Sequence, residues 1–244
     1  MMSKGKWGCV KILAVAILAL VIAVAGTIQY KIARVRSVME MINQPGGHAS
    51  DIAYVRLTRD DAHAIPRLKL LVELQRTTSL ELYGTSDDCL PIVGQLATLE
   101  TIWLKSPYIN GTGLQNLKSL DRLKSLDLIG SSVSDPGICA VSQIKSLRQL
   151  SIDGGITNKG VACIASNLPK IERLLIRNAS VTDVSVEALV SMKSLKRLSL
   201  QGTDISEQGY ETLRKRRPDL KLFFELRQTN DRKDQKAPPI RPQA

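Results

Sequence analysis

Aromatic side chains are scarce in this 244-residue chain, where two Trp, five Tyr and two Phe make up 4% of the residues. That scarcity argues against a nucleic-acid surface built from stacking platforms. Histidine is scarcer still: only His48 and His63 occur. Neither has a partner at metal-ligand spacing, and His63 reads as a solvated residue in an irregular segment, so no metal site is expected. The four cysteines, Cys9, Cys89, Cys139 and Cys163, form no CxxC pair. With Cys9 at the edge of an apolar N-terminal segment, the odd remainder of three is no disulfide framework. Also missing are GxSxG, HExxH, the phosphate-cradling GxxxxGK[ST] and the Rossmann glycine pattern. Gly111-Thr112-Gly113 reads as a loop. Without a nucleophile–base–orienter set, no catalytic residue and no small-molecule cofactor are implied.

Acidic residues are absent from residues 1–36, which hold Lys4, Lys6, Lys11, Lys31, Arg34 and Arg36. The formal charge of +11 is set largely by this end and by the basic tail. A polyanion-binding protein should carry its charge on the folded body, so nucleic acid is not the expected partner. The run Arg214-Lys215-Arg216-Arg217 reads as cations placed at the negative end of a helix that Pro218 stops. Residues 227–244 are polar and proline-bearing, with a PxxP string, and read as a disordered tail.

Residues 12–30, ILAVAILALVIAVAGTIQY, carry no charge. Nineteen residues at the helical rise span roughly 28 Å, close to the hydrocarbon thickness of a bilayer. Residues 1–11 form a basic lead, and the flanking charges tilt slightly toward a cytoplasmic N-terminus. The expectation is a single-pass membrane protein with an extracytoplasmic body. A competing expectation is secretion after signal-peptide cleavage near Ala25, because Ala23-Val24-Ala25 has the small-x-small pattern. Residues 31–47 continue as a juxtamembrane helix with a stripe of Ile32, Val35, Met39 and Ile42, ended by Pro45-Gly46-Gly47.

The decisive pattern is LxxLxL. It begins at Leu99, Leu123, Leu147, Ile171 and Leu195, every step being 24 residues. A second half repeats in phase. An aliphatic such as Val133, Ile156, Val181 or Ile205 precedes a polar pair (Ser134-Asp135, Thr157-Asn158, Thr182-Asp183, Ser206-Glu207) with helix-capping chemistry. Apolar residues at helical spacing follow. The period therefore switches from strand to helix once per unit. Weaker copies occur at Ile52-Val55-Leu57, before an irregular stretch, and at Thr77-Leu80-Leu82. A last partial strand falls at Leu222 and Phe224. Cys139 and Cys163 fall in the apolar halves of neighbouring units. They read as small buried side chains, with a bridge between adjacent coils open to them in an oxidising compartment.

The unit LxxLxLxGxxVTDxGLxxLxxLxS resembles the leucine-rich repeat, nearest the ribonuclease-inhibitor-like and cysteine-containing subtypes and their bacterial relatives. The resemblance covers residues 48–226. It implies an α/β fold, a right-handed solenoid with a parallel concave sheet and short convex helices, here preceded by a transmembrane helix. The position after the strand, often Cys or Asn in such repeats, is Ser106, Gly130, Gly154, Asn178 and Gly202, so a continuous amide ladder is not expected. The family works mainly in protein–protein contact, which implies a protein partner.

Strand side chains alternate faces. The outward positions place Tyr83, Trp103, Lys105, Asp127, Ile129 and Asp153 on one half of the sheet. Arg173, Leu175, Arg177 and Arg197 fall on the other. Exposed aromatics and arginines are frequent interface anchors. These ten residues are the expected partner-binding face, and an anionic polymer or glycan at the arginine end is the alternative.

Overall fold

The computed structural model describes residues 4–43, 47–51, 53–58 and 61–226, with side chains described for 20–43, 53–58 and 62–224. The expected tail, 227–244, lies outside the described residues. Nine strands form one sheet in sequence order: β1 Gly47–Asp51, β2 Tyr54–Leu57, β3 Ser79–Tyr83, β4 Thr101–Lys105, β5 Ser125–Leu128, β6 Gln149–Asp153, β7 Arg173–Arg177, β8 Arg197–Thr203 and β9 Lys221–Leu226. From β2 onward every pairing is parallel. The connections carry helices α2 Asp61–Leu74, α3 Leu90–Val93, α4 Asp135–Val141, α5 Asn158–Asn167, α6 Val186–Ser191 and α7 Glu207–Arg216, with short 3-10 turns among them. Each packs mainly on its sequence neighbours.

The stride of the sequence becomes register. Leu126, Leu150, Leu174 and Leu198 pair in one column, and Leu128, Ile152, Ile176 and Leu200 in the next. Trp103 opposite Asp127 sets Leu104 beside Leu128. The irregular steps of 25 and 22 residues at the front are also register steps, since Val55 pairs with Leu80 and Leu80 with Ile102. All these column leucines are buried. A single coil could not cover them; stacking supplies the other wall.

Four expectations need correction. The stretch after Leu57 is not irregular: α2 is a 14-residue helix with Pro66 inside it. His63 is therefore helical and exposed rather than in a loop. Pro66 lies six residues into α2, and Ala64, Leu68 and Leu71 still bury a helical stripe. The sheet begins with an antiparallel strand, β1, that the sequence did not signal. Cys139 and Cys163 are not buried thiols; they are half-exposed on α4 and α5 and joined by a disulfide, with Cα atoms 5.2 Å apart. Arg217 is not a surface cation. It is 6% exposed and donates to the carbonyls of Met192 (2.9 Å) and Leu195 (2.8 Å), while Asp219 holds its other edge.

Helix α1, Lys4–Ile42, precedes the array. Its end docks against α2 and β1, burying Val38 and Ile42 completely, with Arg34 paired to Glu73 and Met41 O accepting from Arg67. The expected stripe is thus present with Val38 in it, and Ile32 remains 49% exposed. Among the described residues no helix is long and apolar enough to cross a membrane. The side chains of 12–19, nearly half of the expected span, lie outside them.

With no amide ladder after the strands, adjacent coils are tied together by other side chains. Carboxylates at the helix starts reach forward one coil. Asp87 accepts from the amides of Asn110 and Gly113, Asp135 from those of Thr157 and Gly160, and Asp183 from that of Ser206. Asn158 does the same for Thr182. The polar pairs read as caps are partly that, since Thr157 and Ser206 cap their helices. Asp135, Asn158 and Asp183, the second members of three of these pairs, instead stitch adjacent coils.

Candidate functional site

The open face of the sheet is built from alternate positions of each strand, whose side chains the helices do not cover. Its middle column runs Glu81, Trp103, Asp127, Ser151, Leu175, Ser199, Phe223 across adjacent strands. Glu81 is the hub of the N-terminal half. It is 5% exposed although it lies on the open side, because neighbours close over it. Its carboxylate accepts from Tyr54 Oη (2.7 Å), Arg56 Nε (2.7 Å), Tyr83 Oη (2.5 Å) and Lys105 Nζ (3.1 Å). Burial alone would raise this carboxyl, but the four donors outweigh burial and hold it at about 2. Lys105 is shifted upward by the same hydrogen bond and lies 5.5 Å from the centre of the Tyr83 ring.

Trp103 stands next to this hub, half-exposed, with the Tyr54 ring edge-on at 6.4 Å. Asp127 follows it. Burial raises its carboxyl, opposed by the Ile129 amide at 2.9 Å and by the charges of Lys105 and Arg177. Ile129 itself lies just past the end of β5, half-buried in the turn. Asp153 is tied down rather than presented: the side-chain amide of Asn178 donates to it at 2.8 Å. Asn178 holds a left-handed backbone, φ 49°, where its neighbouring coils have glycine at φ 68° and 61°. The side-chain hydrogen bond gives this residue a structural reason to be asparagine.

The C-terminal half is different in kind. Arg173, Arg197 and Lys221 pair in register on β7, β8 and β9, and all three are exposed. Arg173, Arg197, Leu175 and Phe223 border a shallow hollow of about 230 Å³. Arg177 sits nearer the middle, in register with Asp153 and Gln201.

Eight of the ten expected residues therefore fall into two groups, while Ile129 in its turn and Asp153 under Asn178 belong to neither. Tyr83, Trp103, Lys105 and Asp127 join one polar-aromatic cluster, with Arg177 close enough to act on Asp127. Arg173, Leu175 and Arg197 line the hollow. Sequence reading missed Glu81, Tyr54, Arg56 and Phe223. The outward count from Leu80 and Leu82 would have found Glu81; Tyr54 and Arg56 needed the pairing of β2 with β3, which an imperfect first repeat concealed. Among the described residues no group of three or more His, Cys, Asp or Glu is arranged to hold a metal.

No family model and no curated protein matches the sequence. Among solved structures the chain is similar to an internalin of Listeria monocytogenes, at 16% identity and a TM-score of 0.50, covering 65% of this chain and 43% of that one. It is also similar to a leucine-rich-repeat protein of Leptospira interrogans, at 24% identity and a TM-score of 0.48, over 64% of this chain and 39% of that one. A second, internalin C2 of L. monocytogenes, aligns at 23% identity and a TM-score of 0.48 over 64% of both chains. This chain thus spans from about two fifths to just under two thirds of the length of these structures. The likeness is one of fold: an α/β solenoid of leucine-rich-repeat type.

Proposed function

We propose that this chain is a membrane-tethered recognition module that holds a protein partner against the concave, open face of its sheet. The observation that carries the reading is Trp103, a half-exposed indole set on a preorganised bed. Glu81 is fully engaged beneath it by Tyr54, Arg56, Tyr83 and Lys105, so the surrounding polar groups are already satisfied and lose little on contact. Large aromatics in such settings are the residues that dominate interface energetics.

The tether is supported by the uncharged residues 12–30 between basic flanks. Within α1, Leu20, Val21, Ile22, Val24 and Ile28 are each about half or more exposed, an apolar surface left uncovered among the described residues. The half-exposed Cys139–Cys163 disulfide supports an extracytoplasmic body, since such bonds persist in oxidising compartments. Cleavage near Ala25 is the alternative, giving a secreted body.

The test is cross-linking in intact cells followed by retrieval of the bound protein, with wild type beside Trp103→Ala and Arg177→Glu. Loss of the partner from both variants, with unchanged circular dichroism, is the expected result. Equal retrieval by all three removes the concave face from consideration. A second reading rests on the register of Arg173, Arg197 and Lys221: an anionic polymer or glycan along that column. Its binding would weaken steeply with salt, whereas a packed aromatic contact would not.

A further inference from the structure

The two edges of the sheet are finished differently. At the front, β1 turns antiparallel, carries a bulge and packs against α1, devices that blunt an edge. At the back, β9 has no strand beyond it among the described residues. Its Phe224 continues the buried column of Leu200 but remains 40% exposed, and Phe223 on the open face is 56% exposed.

The edge is also self-complementary. Residues 221–225 read Lys-Leu-Phe-Phe-Glu. Laid antiparallel on itself about Phe223, this segment sets Lys221 opposite Glu225, Leu222 opposite Phe224 and Phe223 opposite Phe223. The backbone agrees with that register. Lys221 N donates inward to Lys196 O, and peptide groups alternate sides along a strand. The N–H and C=O of Leu222 and Phe224 therefore point to the open edge. Those two positions would form the hydrogen-bonded pairs, and Phe223 with its copy a close non-bonded pair. A lysine on an edge ordinarily discourages pairing; a glutamate four residues later makes it half of a complementary pair. The same arrangement relieves the like-charged column, because Arg173, Arg197 and Lys221 would be continued by an acidic position of the second copy.

We infer that β9 is a homodimer interface, pairing antiparallel with β9 of a second copy about a two-fold axis through Phe223. The sheet then continues from one copy into the other with both open faces on one side. An isologous contact of this kind closes on itself and does not propagate into fibres.

The test uses the full chain in detergent micelles, in a Cys9→Ser background. Phe223→Cys should form an intermolecular disulfide under mild oxidation, while Gln208→Cys, exposed on α7, should not. In sedimentation, Lys221→Glu and Glu225→Lys should each weaken the dimer about ten-fold, and the double swap should restore it to within about three-fold of wild type. Lys221, Phe223 and Gln208 are exposed, and circular dichroism should be unchanged in every variant. A wild-type chain that stays monomeric at about 100 µM, where an interface of even weak affinity is populated, overturns the inference. So does a double swap that fails to restore the dimer. So does a dimer that forms only after residues 227–244 are removed, which would make that segment the occupant of the edge.

Discussion

Two buried charged side chains show how much a single residue can do in a repeat that is otherwise leucine. Glu81 is held at about 2 by its donors, against an ordinary value of 4.5. A depressed carboxylate contributes stability that is complete above its unfolded value and is lost as pH falls through the folded one. The window is therefore from about 4.5 down to about 2, and the contribution at neutral pH is on the order of 2–3 kcal/mol. Glu81→Gln should flatten the acid limb of a stability–pH curve over that window; an unchanged limb would mean that other carboxylates set it. Arg217 acts at the other end of the array. Its guanidinium donates to the carbonyls of Met192 and Leu195, between α6 and β8, where only the Met192 carbonyl has another donor, the Leu195 amide. Arg217→Met should cost about 3 kcal/mol in denaturant titration, whereas neighbouring Arg214→Met should cost under about 0.5 kcal/mol. Neither role was legible in the sequence. A run of four cations looks like helix-end decoration, and nothing marks the fourth as turned inward. The outward count would have reached Glu81, but two of its four donors, Tyr54 and Arg56, come from an imperfect first coil.

At the scale of elements, the coil-to-coil stitching explains a glycine that the repeat consensus merely records. The helix starts Thr157-Asn158-Lys159-Gly160 and Ser206-Glu207-Gln208-Gly209 place Gly160 and Gly209 where an added Cβ would strike the carboxylates of Asp135 and Asp183 from the preceding coil. The aspartate and the next coil's glycine are therefore one device. Asp135→Ala should cost about 2 kcal/mol, because two amides and the Thr157 hydroxyl lose their acceptor. Gly160→Ala should cost a similar amount by displacing that carboxylate. A double-mutant cycle of the two should be strongly non-additive, and simple additivity would separate them. Capping chemistry was legible at these positions, since Ser, Thr, Asp and Asn before a helix carry that meaning. Its direction was not: a linear pattern shows that an acceptor is present, not that the donor lies 22–26 residues away. The disulfide was left open for the same reason, because a 24-residue spacing puts two thiols side by side only after the solenoid has formed.

At the scale of the whole molecule, the array itself was the most legible feature, because a fixed stride in the chain becomes a fixed register in space. What the stride could not reveal is how the array begins. The first coil has its apolar side closed by the end of α1, where Val38 and Ile42 are completely buried. The end of α1 and the repeat array are thereby packed together rather than joined by a free linker. This bears on processing, because cleavage near Ala25 would leave Arg34, Val38 and Ile42 in place. A chain starting at residue 31 should therefore melt within about 2 °C of a chain starting at residue 26. One starting at residue 44 uncovers the front of the core. It should lose roughly 3–5 kcal/mol, the scale for emptying two aliphatic sites, and about 10 °C in melting temperature. Val38→Ala in the longer chain should give part of that loss, which would assign it to the packed side chain rather than to chain length. Equal melting of all three truncations would show that α1 rests on the solenoid without stabilising it.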